Sequence, residues 1–127
     1  MVNLNQIVAV VDDDESVRRA IKRLLHSAGI RADTFASGDE FLSMLSSIPS
    51  YRPACVILDI QMPGTNGPEI WRRLASTGVP VIFITEHDDL AVREMAVASG
   101  AAYPLKPFDD TIFIEAVEMA LGGTPSP

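Results

Sequence analysis

The sequence is short of several things that would point elsewhere. It has one cysteine, Cys55, so no disulfide can form within it, and a reducing cytosol is the compartment that fits. It has no uninterrupted apolar run of about 18 residues, the length a membrane-spanning helix needs. The opening residues, Met1 to Gln6, lack the basic and then apolar order of a secretory signal. Basic residues are scarce: 10 Lys and Arg stand against 17 Asp and Glu, a net charge of −7. Such a surface repels nucleic acid and anionic lipid, so direct binding to either is not expected. With 127 residues the chain has room for one domain. The two histidines, His26 and His87, read as an exposed helix position and a loop residue, and neither carries a role.

Apolar residues make up 47% of the chain, enough for a sizeable core, and they come in runs. These cover Ile7 to Val11, Ala32 to Phe35, Cys55 to Ile60, Val79 to Ile84 and a short stretch from Tyr103 to Leu105. Helix-like patterns separate them, so the chain reads as five β-then-α units: a parallel sheet covered by helices. The first, third and fourth runs are continuously apolar, as strands buried on both faces are. The second alternates and carries Asp33, and the fifth contains Pro104, which has no N–H for a ladder. The second and fifth strands therefore belong at the edges. Order 2-1-3-4-5 satisfies this and puts the topological switch between the first and third strands.

Helix signals agree. Val17, Ala20, Ile21, Leu24, Leu25 and Ala28 form one apolar stripe, closed by Gly29. Ser37-Gly38-Asp39-Glu40 has the form of a capping box ahead of Phe41, Leu42 and Leu45. Pro68 fits the first turn of a third helix. Asp88 and Asp89 open a fourth that ends at Gly100, and Asp109 and Asp110 open a fifth that ends at Gly122-Gly123. The fourth is apolar around much of its circumference, which suggests a contact surface. Cys55 reads as a small buried hydrophobe and Trp71 as partial core.

Ligands of open α/β sheets bind beyond the carboxyl ends of the strands, near the switch point. There the sequence places Asp12, Asp13 and Asp14 after the first strand, Asp59 at the end of the third, Thr85 after the fourth and Lys106 after the fifth. Asp12, Asp13 and Asp59 brought together call for a compensating charge. A hard divalent cation such as Mg²⁺ accepts one or two carboxylates along with water and phosphate oxygens. Lys106 adds a point charge suited to phosphate, and Thr85 a hydroxyl. A carboxylate nucleophile with these companions is a set suited to phosphoryl transfer onto an aspartate.

The segments Val11-Asp12-Asp13-Asp14-Glu15-Ser16-Val17-Arg18, Leu58-Asp59-Ile60-Gln61-Met62-Pro63-Gly64, Phe83-Ile84-Thr85 and Lys106-Pro107-Phe108 together resemble the bacterial two-component response-regulator receiver domains, in particular the FixJ-type subclass. The resemblance runs from about Gln6 to Leu121. It implies a three-layer (βα)5 flavodoxin-like, or CheY-like, fold over residues 1–121, with residues 122–127 as a tail or the start of a linker. It implies Asp59 as phospho-acceptor, with Asp12, Asp13, Asp59 and the Gln61 carbonyl around Mg²⁺ or Mn²⁺. Thr85 matches the switch hydroxyl, Lys106 the phosphate-binding lysine, and Tyr103 the aromatic that changes rotamer on activation. The Lys106–Pro107 peptide is expected to be cis. The implied partner is a sensor histidine kinase or a phosphotransfer protein. The protein would not be an enzyme in the turnover sense, although it would catalyse its own phosphorylation and dephosphorylation. The switched surface would be the fourth helix, fifth strand and fifth helix, giving a phosphorylation-dependent homodimer. Its output would reach signal transduction, and transcription through a partner or an output domain. The tail reads as the end of a stand-alone receiver in preference to a linker.

Three departures from the family pattern stand out. Glu86 follows the switch threonine where Ala or Gly is usual, and with Gln61 it is expected to modulate phosphorylation lifetime by slowing loading or hydrolysis. The stretch from Gly100 to Tyr103 is one residue short. Pro104 interrupts the fifth strand and weakens any dimer surface built on that edge. Blander readings stay open beside these. Asp12 to Asp14 are also good helix caps, Asp14 and Glu15 being only that, and Asp59 could be a turn residue. A phosphatase of the haloacid-dehalogenase type could use Asp12, Asp14, Thr85, Lys106 and Asp109-Asp110, but leaves Asp59 without a role. A receiver-like module that is never phosphorylated is a third reading. An FMN-binding flavodoxin is disfavoured because no phosphate loop rich in Gly, Ser or Thr follows the first strand.

Overall fold

The computed structural model describes residues 6–59, 67–84 and 110–122. Within them, β1 is Ile7–Val11, α1 Glu15–Ser27, β2 Arg31–Phe35, α2 Gly38–Ser47, β3 Cys55–Asp59, α3 Gly67–Leu74 and β4 Val81–Ile84; a 3₁₀ turn covers Ala75–Thr77 and a C-terminal helix Asp110–Ala120. The described strands form one sheet in the order β2-β1-β3-β4, and each neighbouring pair is parallel. This is the expected order over the strands described. The expected fifth strand, fourth helix and Lys106–Pro107 peptide lie outside the described residues.

Side chains of the central strands alternate between two apolar layers. Ala9, Val11, Val56, Leu58 and Phe83 pack with Phe41 of α2 and with Ile70 and Leu74 of α3. Val8, Val10, Cys55, Ile57, Ile82 and Ile84 pack with Ile21 and Leu25 of α1 and with Phe113 and Val117 of the C-terminal helix. Helices on both faces explain why these strands are apolar at every position. β2 has a single central-strand neighbour and a mixed pattern, exposed at Arg31 and buried only at Phe35.

Local chemistry sets the helix ends. The Asp14 carboxylate caps α1, accepting from the Ser16 and Val17 N–H groups at 2.8 and 3.4 Å. At the other end Gly29 takes φ +77°. Its N–H donates to the His26 carbonyl, and the Ile30 N–H donates to Leu25 at 2.9 Å. That is a Schellman closure, with Ile30 and Leu25 sharing one apolar layer. In α2 the Ser37 hydroxyl accepts from the Glu40 N–H at 3.1 Å.

Some sequence expectations need adjusting. Ala20 is exposed, so the buried seam of α1 narrows to Ile21 and Leu25 with Val17, Leu24 and Ala28 half-buried. The Glu40 carboxylate accepts from the Ala36 N–H at 3.3 Å, one residue before the Ser37 N–H that a reciprocal capping box would use. β4 begins at Val81, two residues later than its apolar run: the Val79 N–H goes to the Thr77 hydroxyl, and Pro80 offers only its carbonyl, to Val56. His26 is exposed and Trp71 half-buried against the first layer, as the sequence suggested.

Cys55 is fully buried on β3, and burial pushes its thiol up to about 12. Thiol reagents attack the thiolate, so labelling of the folded protein is expected to be slow and to become rapid in denaturant. A disulfide-exchange reagent followed by absorbance reads both rates. Fast labelling of the folded protein would contradict the buried position.

Candidate functional site

Register brings the acidic residues together. Val11 of β1 sits beside Leu58 of β3. The next residues, Asp12 just past β1 and Asp59 at the end of β3, therefore emerge one strand spacing, about 4.8 Å, apart. Their carboxylates and that of Asp13 can all place an oxygen within 4.8 Å of one another. Asp12 is completely buried and Asp59 is 6% exposed, whereas Asp13 is open to solvent. The cluster thus joins two buried carboxylates to one exposed one, at the carboxyl end of the sheet and at the switch between β1 and β3.

The backbone around Asp12 is tied down on three sides. Its N–H donates to the Phe35 carbonyl at 3.1 Å, continuing the β1–β2 ladder one residue past the strands. Its Oδ1 accepts from the Asp14 N–H at 2.9 Å. Its carbonyl oxygen accepts from Arg18 Nη1 at 2.8 Å. The three consecutive aspartates divide their work: Asp14 caps α1, while Asp12 and Asp13 join Asp59.

Two unit charges about 5 Å apart repel by about 3 kcal/mol at the effective dielectric suited to protein sites. Three clustered carboxylates therefore favour a partner of high positive charge. The donors fit a hard cation, being all carboxylate oxygens, and the exposed Asp13 suits a cation that keeps part of its water. Among the described residues, the cluster includes no nitrogen or sulfur donor of the kind softer metals prefer.

Of the residues picked out by sequence, Asp12, Asp13 and Asp59 meet. Gln61, Thr85, Glu86, Tyr103 and Lys106 lie outside the described residues. Arg18, which donates to the Asp12 carbonyl, is the site residue that sequence reasoning missed. A signal was available: a cation in the first turn of a helix opposes the macrodipole, which invites a search for what it holds.

The model for the response regulator receiver domain matches residues 8–118. The transcriptional regulatory protein FixJ of Azorhizobium caulinodans is 38% identical over 118 residues, covering 91% of this chain and 54% of that protein. The response regulator protein TmoT of Ectopseudomonas mendocina is 34% identical over 118 residues, covering 91% of this chain and 52% of that protein. The chain spans about half the length of these two curated relatives. A crystal structure of a response regulator receiver protein from Burkholderia phymatum superposes with a TM-score of 0.87 at 63% identity, covering 97% of this chain and 99% of that one.

Proposed function

The chain belongs to the response regulator receiver domain family, and from that premise we propose that Asp59 is the phospho-acceptor of a two-component phosphorelay. The observation that carries this reading is the convergence of the Asp12, Asp13 and Asp59 carboxylates at the carboxyl end of a parallel sheet.

In this reading a sensor histidine kinase or a phosphotransfer protein is the donor. A carboxylate oxygen of Asp59 attacks phosphorus, a P–O bond forms, and the P–N bond to the donor imidazole breaks. The imidazole leaves and takes up a proton. Little acid–base work is required of the acceptor, so the protein's part is positioning and charge balance. Asp12 and Asp13 would hold Mg²⁺ or Mn²⁺ together with Asp59 and the Gln61 carbonyl. When bound, the cation supplies charge neutralisation and orients a phosphoryl oxygen. Lys106 would pair with another phosphoryl oxygen. Thr85 would hydrogen-bond the acyl phosphate, and Tyr103 would follow it, altering the surface the family uses for dimers. Such a switch is a two-state element biased by new phosphate contacts. Glu86, beside Thr85 in sequence, would slow loading or hydrolysis.

The phosphatase reading gave Asp59 no role, yet its carboxylate lies with the other two, which favours the receiver reading.

Incubation with Mg²⁺ and a small acyl phosphate is expected to add about 80 daltons, one phosphoryl group, to the intact protein, and chelating the metal should prevent it. Peptide mapping should place the group on the Cys55–Asp59 strand. An adduct that forms equally well in chelator, or on another segment, would contradict the proposal.

A further inference from the structure

We infer that Arg18 is a positioning residue for the acidic pair: its guanidinium fixes the Asp12–Asp13 peptide so that both carboxylates are set for a divalent cation before one binds. The inference rests on reading the cluster as a metal-dependent phosphoryl-transfer site.

Asp12 lies one residue past β1, where the ladder gives way to loop. Its carbonyl is at a fully buried residue, where an unmet acceptor is costly. Arg18 Nη1 meets it at 2.8 Å, a charge-assisted bond of the stronger kind. That carbonyl belongs to the same peptide as the Asp13 N–H. Holding it fixes ψ of Asp12 and φ of Asp13, and so the direction in which the Asp13 side chain leaves the backbone. Asp12 has a second restraint on its carboxylate, the Asp14 N–H. Asp13 is exposed, so the orientation of its peptide is what points it at its neighbours.

The position of Arg18 on α1 makes the same point. Its own N–H donates to the Asp14 carbonyl at 3.0 Å, which places it in the first turn, where the helix field disfavours a cation. The side chain turns back toward the loop that precedes the helix and is half-buried there. The adjacent Arg19 behaves differently. Its side chain is 75% exposed and pairs with Glu15 along the helix surface, an arrangement worth little. The two neighbouring arginines thus provide a matched comparison.

The test uses the whole chain and four proteins: the parent, Arg18→Met, Arg18→Lys and Arg19→Met. Calorimetric titration with Mg²⁺ and with Mn²⁺ gives metal affinity, and thermal unfolding in chelator gives metal-free stability. Uptake from a small acyl phosphate is followed against metal concentration. Residues that orient metal ligands typically carry a 10- to 100-fold effect on affinity. Arg18→Met is expected to weaken Mg²⁺ binding about 10-fold, in keeping with that range. The metal concentration for half-maximal uptake should rise in step, while the uptake rate at saturating metal stays near the parent's. Arg18→Lys, which keeps a charge and a donor, should recover part of the affinity and remains informative if Arg18→Met folds poorly. Arg19→Met should bind like the parent. Parent-like metal affinity in Arg18→Met and Arg18→Lys, with or without lowered stability, overturns the inference alone. A parent chain that binds neither metal overturns the phosphoryl-transfer reading, and this inference with it.

Discussion

Asp59→Asn is expected to take up no phosphoryl group and to be more stable than the parent when metal is removed. Asparagine keeps the shape of a residue that is 6% exposed but removes the nucleophile and one of three crowded charges. Relief of that repulsion, less the hydration and hydrogen bonding that the carboxylate gives up, should leave a net gain of about 1 kcal/mol, which moves the thermal midpoint by about 4 °C for a domain of this size. Metal should then help the variant less. A ligand at 100 times its dissociation constant stabilises by about 2.7 kcal/mol, and a site with one carboxylate fewer needs a higher concentration to reach that ratio. Unfolding scans of both proteins in chelator and in Mg²⁺, beside intact mass after exposure to phosphodonor, test all three statements. A retained adduct would move the acceptor elsewhere. A lower metal-free midpoint would mean that the Asp59 carboxylate is held more favourably than its two acidic neighbours disfavour it.

The second large effect concerns the scaffold. Phe113→Ala should cost about 3–5 kcal/mol, a large part of the 5–15 kcal/mol typical of a domain. Phe113 is fully buried and lies in one layer with Val8, Val10, Ile57, Ile82 and Ile84. It anchors the C-terminal helix to the strands whose ends carry the acidic residues. Phe113→Leu retains most of the apolar area and should cost far less. Urea unfolding at constant slope measures both. A loss below about 1 kcal/mol for the alanine variant, well under the usual range for a buried aromatic, would show the helix to be loosely docked.

Some of this architecture was plain in the residues and some was not, for physical reasons. Strands buried on both faces leave continuous apolar runs, and β1, β3 and β4 were read from theirs. Strand order followed from two edge signals, Asp33 in the second run and Pro104 in the fifth, of which the second lies outside the described residues. The acidic convergence was legible because a parallel sheet places the ends of adjacent strands side by side. The details that differed depend on geometry beyond local pattern. Ala20 is small enough to fit an apolar stripe on paper, but α1 is rotated so that Ile21 and Leu25 face the sheet. Pro80 delays β4 because pairing needs an N–H it lacks. The partner of the Glu40 carboxylate depends on how the chain enters α2, which spacing does not specify. Tyr51 carried no sequence signal. It lies between Pro49 and Pro53, yet its ring meets Phe35 edge-on at 6.1 Å. Burial, and then the nearby Asp33 carboxylate, hold its hydroxyl well above the usual phenol range. The part played by Arg18 was hidden because its partner is a main-chain oxygen, which has no letter in the sequence.

The acidic residues sit at the carboxyl ends of the most sheltered strands of the described sheet. Val8 to Val11 and Cys55 to Leu58 are all fully buried, with covered faces and a strand on either side. Amide protons in such strands exchange with solvent only when the whole domain opens. Their exchange rates therefore report global stability from within the segments that hold the carboxylates. Any ligand that binds the folded state at this cluster should slow them in proportion to its occupancy ratio, so deuterium uptake by two short peptides would register an event at the tip of the sheet.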